Sequence, residues 1–274
     1  MGYDEQQRGS DHKRGAAVIR PMSGHSFPPT LDAHAHIAYT HSDADLVDAG
    51  AILAMTLSLD EAAQAVGRND ARVLWGVGCH PNDVTAQEHF DVHSFMELTR
   101  HTPIVGEVGL DARSPVPLEA QGKVFRSILQ VVADHPRIVS IHSNHTTREV
   151  MEELSRKPIA CPVLHWWNGS DARTKAAVDL GCSFSIHSAI ANYSRFPKFV
   201  PATRILLETD QGYDEAPSLI PGRIALTEKT VSGKYQISSE ELRRLTWGNL
   251  RRLVEETETG GLISESFRKL LENK

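Results

Sequence analysis

Eight short apolar runs, separated by polar or helix-patterned segments, constrain this chain more than any other feature. They are 30–34, AILAMTLS at 51–58, VLWGVG at 73–78, PIVGEVGL at 103–110, IVSIHS at 138–143, PVLHW at 162–166, CSFSIH at 182–187 and RILLET at 204–209. Each is apolar almost throughout rather than at alternate positions, as strands are when helices cover both faces of a parallel sheet. LEAQGKVFRSILQVVADH repeats apolar residues at helical spacing between the fourth and fifth runs, and EVMEELSRK does so after the fifth. SSEELRRLTWGNLRRLVEE and GLISESFRKLLENK predict two closing helices. Asp60 and Ser170 are the expected N-caps, and Gly181 the expected stop after the AVDL run. The alternation predicts a single α/β domain, a TIM (β/α)8 barrel, because 274 residues suffice for one and such barrels take about 250. An open doubly wound sheet is the alternative architecture.

The chemistry sits at the ends of these runs. LDAHAH carries His34 and His36, GVGCHP carries His80, IVGEVGLD carries Glu107, IVSIHS carries His142, PVLHWW carries His165 and ILLETD carries Asp210. His34 and His36 are two apart, so an extended chain points both to one side of the sheet. A lone His at a strand end usually only bonds a neighbouring carbonyl. Six such segments at the carboxyl ends of strands, where barrels keep their sites, predict a shared centre able to hold two divalent cations. The donor set is imidazole and carboxylate without thiolate, which suits Mg, Mn or Zn.

Composition excludes several classes. Apolar residues make up 40% and charged residues 23%, the balance of a globular domain. No run approaches the roughly 18 apolar residues of a membrane span, so no membrane partner is expected and the default location is the cytoplasm. Cys79, Cys161 and Cys182 are odd in number and lie in or beside apolar runs, so they read as buried small hydrophobes. Residues 1–29, rich in Gly, Ser and Pro, read as a flexible extension before a barrel at 30–274.

The ordered set LDAHAH, GVGCHP, GEVGLD, SIHS, LHWW and ETD, with Gln121 and the apolar helix behind it, resembles the TatD-type metal-dependent hydrolases. These are a branch of the amidohydrolase-like TIM barrels that includes DNases, and the likeness runs from about Leu31 to Leu253. The resemblance implies one cation on His34, His36 and Asp210, a second on His142 and His165, and Glu107 bridging them. It also implies that His80 lies near the mouth, close to a substrate phosphate, and that Asp111 and Glu208 support the ligands from behind. The activity it implies is phosphodiester hydrolysis, with Glu107 and Asp210 as the catalytic carboxylates and DNA, single-stranded or at a 3′ end, as substrate.

Departures from the family pattern concern the cleft. Asn144 stands where relatives often carry Arg, with Arg148 a candidate replacement; Trp166 and Trp167 replace Cys-Phe, and Gln211 and Gly212 replace a small residue and Pro. Either Trp could stack on a base at the rim. ARSPVP shortens the loop after GEVGLD and leaves Arg113 as its cation. LHWW and the chain length are similar to TatD-like proteins of bacterial anti-phage gene clusters, which implies antiviral defence and protein partners. The net charge of -6 argues against a broad duplex-binding surface. Arg113, Arg148, Arg173, Lys175, Arg195 and Lys198 are the candidates for a local basic patch. Hydrolysis of another bond, ester or amide, and a non-catalytic partner subunit are the alternative functions.

Overall fold

The computed structural model describes residues 27–42, 45–46, 49–212 and 222–272. Its strands are β1 (Leu31–Ala35), β2 (Ala51–Ala54), β3 (Val73–Trp75), β4 (Ile104–Asp111), β5 (Ile138–Asn144), β6 (Cys161–His165), β7 (Ser183–His187) and β8 (Ile205–Glu208). The helices follow them in chain order. They are α1 (Leu59–Ala65), α2 (Val84–Glu88), α3 (Val92–Thr99), α4 (Leu118–Asp134), α5 (Thr147–Arg156), α6 (Asp171–Asp179), α7 (Arg195–Phe199), α8 (Ala225–Tyr235), α9 (Ser239–Glu256) and α10 (Glu265–Glu272).

Every strand pairing is parallel, in the orders β1-β2-β3 and β4-β5-β6-β7-β8. A bridge from Val77 to Val105 joins the two sheets at one seam. At the other, the Asp210 amide donates to His34 O at 2.9 Å and His36 N to Gln211 O at 2.6 Å. The ring is thereby closed as a (β/α)8 barrel, and the open sheet is excluded. The strands are buried along nearly their whole length, the reason they read as unbroken apolar runs.

Apolar side chains form two clusters. One joins Ile52, Val105, Val139, Phe184 and Leu207 of the strands to Ala62, Phe95, Phe125 and Leu154 of the surrounding helices. The other joins Leu31, Leu53, Ile104, Val163 and Leu206 to Trp247 and Leu250 of α9 and Phe267 of α10. Most of the extension expected at 1–29 lies outside the described residues. Its last three sit on α9, with Arg243 over the Phe27 ring at 4.5 Å and Trp247 Nε1 donating to Pro29 O at 2.8 Å.

Two expectations need correction. Ser58, not Asp60, caps α1, its side chain accepting from the Glu61 amide, while Asp60 lies in the first turn. Ser170 does cap α6, and Gly181 follows that helix at φ +85°. Strands β2 and β3 are shorter than their apolar runs because pairing changes at their carboxyl ends. Thr56 exchanges backbone hydrogen bonds with Gly106 O and Glu107 N, and its hydroxyl donates to Gly76 O and accepts from Gly78 N. Gly78 is squeezed between these chains, where a Cβ would lie 1.8 Å from Thr56 O.

Candidate metal centre

Both strands that supply the first ligands lose regular register where they do so. Pairing shifts between Asp32 and Ala35 on β1 and between Val105 and Val108 on β4, so His34 and Glu107 leave the simple alternation of the strand. Their side chains meet at the carboxyl end of the barrel. Glu107 Oε2 stands 3.2 Å from His34 Nε2 and 3.1 Å from His36 Nε2. Asp210, placed by the turn after β8, brings Oδ1 to 3.6 Å from each of those nitrogens. Glu107 Oε1 faces the other way, 2.5 Å from His142 Nδ1 and 3.6 Å from His165 Nε2. Gly212 is required just beyond, since at φ +98° a Cβ would fall 1.9 Å from His36 O.

Tautomers follow from the partners of the rear nitrogens. His36 Nδ1 lies 3.1 Å from Met55 O, a group that only accepts, so this nitrogen carries the proton. The Nε2 lone pair of the neutral ring then points at the Glu107 carboxylate. His165 Nδ1 is 2.9 Å from Glu208 Oε2, and its Nε2 faces Glu107 and Asp210 in the same way. Behind His34, Nδ1 meets Ser140 Oγ at 2.7 Å. Asp111 takes His142 Nε2 at 2.9 Å and is itself fixed by Asn82, Asn144 and the Arg113 amide. Gln121 holds this strand end, accepting from Asp111 N and donating to Asp111 O.

Acceptors facing acceptors in a buried site call for protons or a cation between them. The electrostatics of these side chains show the strain of the arrangement. Burial pulls His165 down, but Glu208, Asp210 and Glu107 outweigh it and raise its pKa to about 10. His142 is likewise raised to about 9 against burial by Glu107 and Asp111. Burial and the neighbouring His165, stacked on His34 at 3.7 Å, lower His34 to about 3. Glu107 is held well below the usual carboxylate range despite burial, by His80, His165, His34 and His142. Asp210 Oδ1 is buried with no hydrogen-bond partner. These donors fit divalent cations: His34, His36, Glu107 and Asp210 form one four-residue group, with further groups formed by His34, His165 and Glu208 and by His80, Glu107 and His142.

An open cleft of about 430 Å³ leads to this cluster, and its walls include Asp111, Arg113, His142, His165, Trp166 and Asp210. His80, expected at the mouth, is instead 1% exposed, with Nε2 3.4 Å from Glu107 Oε2. Backbone bonds from His80 N to Leu57 O and Cys79 N to Glu107 O turn that segment inward. Its Nδ1 accepts from Asn82 N, leaving the neutral ring's proton on the nitrogen that faces Glu107. Trp167, also expected at the rim, is fully buried and donates from Nε1 to Thr174 Oγ1 at 2.9 Å. Arg148 does not replace the missing Arg, because it is exposed on α5 and paired with Glu149 and Glu152. Among the candidate cations only Arg113 lines the cleft; Arg195 covers Tyr193, and Lys175 and Lys198 cover Phe199.

Sequence reasoning missed Asp32, Ser140 and Asn82. Asp32 is buried and accepts from Thr209 N, Thr209 Oγ1 and Gly222 N, tying β1 to the segments after β8. Asp32 and Ser140 each stand two residues before a candidate ligand, so same-face spacing could have found them. Asn82 carries no comparable signal.

The model of the TatD-related DNase family matches residues 31–255. The chain belongs to this family. It is therefore a hydrolase of the TatD type. Its fold is similar to that of YJJV, a TatD homologue of Escherichia coli K12, with TM-score 0.72 and 19% identity over 82% of this chain and 97% of that one. It is similar too to a TatD-family hydrolase of Entamoeba histolytica, with TM-score 0.65 and 15% identity over 83% of this chain and 99% of that one. An uncharacterised amidohydrolase of Saccharomyces cerevisiae gives TM-score 0.62 and 13% identity over 82% of this chain and all (100%) of the other. At these identities the likeness is one of fold. No curated protein sequence matches the chain. No helix among the described residues is long and apolar enough to cross a membrane.

Proposed function

We propose that this TatD-family member is a metal-dependent phosphodiesterase, a deoxyribonuclease acting on single strands or 3′ ends. The observation that carries the reading is the position of Glu107, which offers Oε2 to His34 and His36 and Oε1 to His142 and His165. One carboxylate with an oxygen toward each of two imidazole pairs suits two cations that share it. His34, His36 and Asp210 would hold one, and His142 and His165 the other. Bound there, the cations would supply the charge that polarises a phosphoryl oxygen and lowers the pKa of water.

The protein's own groups do the rest. Glu208 and Asp111 orient the rings of His165 and His142. Asp210 stands at the cleft wall, with Oδ1 toward His34 and His36 and Oδ2 toward His165, a position from which a carboxylate could accept a proton from an attacking water. The acidic chain and a cleft with Arg113 as its one candidate cation among the described residues favour a short flexible end over a long duplex, whose binding needs many phosphate contacts.

The test is cleavage of labelled single-stranded and duplex oligonucleotides, with free or blocked 3′ ends, under Mg, Mn or Zn. Shortening of the free single strand is expected, with EDTA and Glu107→Ala each abolishing it. No cleavage with any of these metals, alongside metal-dependent turnover of small activated esters or amides, would overturn the phosphodiester reading.

A further inference from the structure

The two consecutive tryptophans divide their tasks. Trp167 is an anchor: its ring is buried, tied to Thr174, and pressed against Gly169, where a Cβ would lie 2.1 Å from Trp167 Cζ2. Trp166 goes the other way and lines the cleft with His142, His165 and Asp210. Its backbone adopts φ +40°, rare for a bulky residue, and its amide donates to Glu208 Oε1 at 2.9 Å. The same carboxylate holds His165 through Oε2, so one buried group positions both a candidate ligand and this indole.

His187 supplies the backing. Its ring is stacked on Trp166 with centroids 3.8 Å apart and planes 21° from parallel. It is itself buried, with Nδ1 accepting from Ala189 N, so it cannot easily swing away. One face of the indole is thus covered by His187, and the half-buried ring, packed against the core, also lines the cleft. The His165 ring is 6.3 Å away, edge-on. Asn82, Asn144 and Asn168 line the same cavity; the first two donate to Asp111, while Asn168 is exposed, and its amide offers a donor and an acceptor to the edge of a planar heterocycle.

The geometry points to a base-stacking subsite, in which Trp166 backed by His187 receives an unpaired nucleobase of the strand end whose phosphodiester lies at the cation centre. This rests on the nuclease reading and adds what that reading lacks, a source of affinity other than phosphate charge. Stacking works on any base and needs an unpaired one, so it would select frayed or single-stranded ends over blunt duplex. With Arg113 the one candidate cation on the cleft wall among the described residues, the aromatic face carries a larger share of binding than it would in a basic groove.

The experiment compares wild type, Trp166→Ala, Trp166→Phe and His187→Ala in two arms. In the first, kcat/KM is measured on a single-stranded oligonucleotide and on the same strand with abasic terminal nucleotides. Wild type should prefer the base-bearing strand by roughly 5- to 150-fold, the range that stacking of about 1–3 kcal/mol per base gives. That ratio should collapse toward one in Trp166→Ala, mainly through KM, and be largely kept in Trp166→Phe. In His187→Ala it should fall part-way. In the second arm, calorimetry of metal-loaded protein compares dAMP with deoxyribose 5-phosphate, which needs no turnover. Wild type should bind dAMP more tightly, and Trp166→Ala should lose the difference with metal content and circular dichroism preserved. Equal affinity for the two ligands in wild type, or an unchanged ratio in Trp166→Ala, overturns the subsite. Preferential dAMP binding without cleavage of any oligonucleotide would uphold the subsite and overturn the nuclease reading.

Discussion

A single imidazole illustrates how much depends on the atom behind it. His165 is defined less by its own position than by Glu208 on Nδ1, which orients the ring and, with Asp210 and Glu107, raises its pKa to about 10 against burial. His142 repeats the arrangement with Asp111. Replacing Glu208 by Gln or Asp111 by Asn should therefore weaken metal affinity or activity by roughly 10- to 100-fold, as titration calorimetry and oligonucleotide cleavage would show. The raised values near 9 and 10 also set a sign. Both exceed the unfolded value of about 6.5, so in metal-free protein their contribution to stability is complete below that pH. It is lost as pH rises through the folded values. Urea midpoints of chelator-treated protein should fall between pH 7 and 10. Metal affinity should climb over the same interval, because each cation displaces these protons, and calorimetry in buffers of different ionisation enthalpy would count the protons released.

Elements place these residues through local rules, and local rules were readable where they spanned enough chain. Helices α4, α5 and α9 announce themselves by spacing over ten or more residues each. Helices α2 and α7 hold only five residues each, too few to show a period, and sequence reasoning did not find them. Capping can be checked directly: Ser170→Ala removes the acceptor for Arg173 N and should cost about 1 kcal/mol in denaturant unfolding. A harsher outcome is expected at Gly78, where the new methyl meets Thr56 O and Glu107 N, both backbone atoms that cannot rotate away. Gly78→Ala should destabilise by at least about 1–3 kcal/mol and lower metal affinity, since relief of the clash displaces the chain bearing Glu107. An unchanged melting temperature and metal stoichiometry would refute this.

For the molecule as a whole, charge decides how a strand end would be held. With a net charge of -6 and, among the described residues, Arg113 the single candidate cation on the cleft wall, few phosphates meet a side-chain cation there. The slope of log affinity against log salt for a single-stranded oligonucleotide should be shallow, between roughly −0.7 and −1.5, as one or two contacts give. Arg113→Ala should flatten it by about 0.7, measured by fluorescence anisotropy of metal-loaded protein. A slope steeper than about −3 would point instead to a basic track of several phosphate contacts.

Closure into a barrel rather than an open sheet came from the contacts at the two seams. What the amino-acid order by itself specified is eight strands buried on both faces, and the identity and chain order of the residues that gather in the centre. Both are local properties: an apolar run records burial on two faces, and a spacing of two records a shared face. Only tertiary structure decided which nitrogen of each imidazole faces Glu107, that His80 turns inward, and that Trp166 rather than Trp167 meets the cleft. Those outcomes depend on how segments as distant as residues 34 and 210 pack together, and no pattern within either segment encodes that distance.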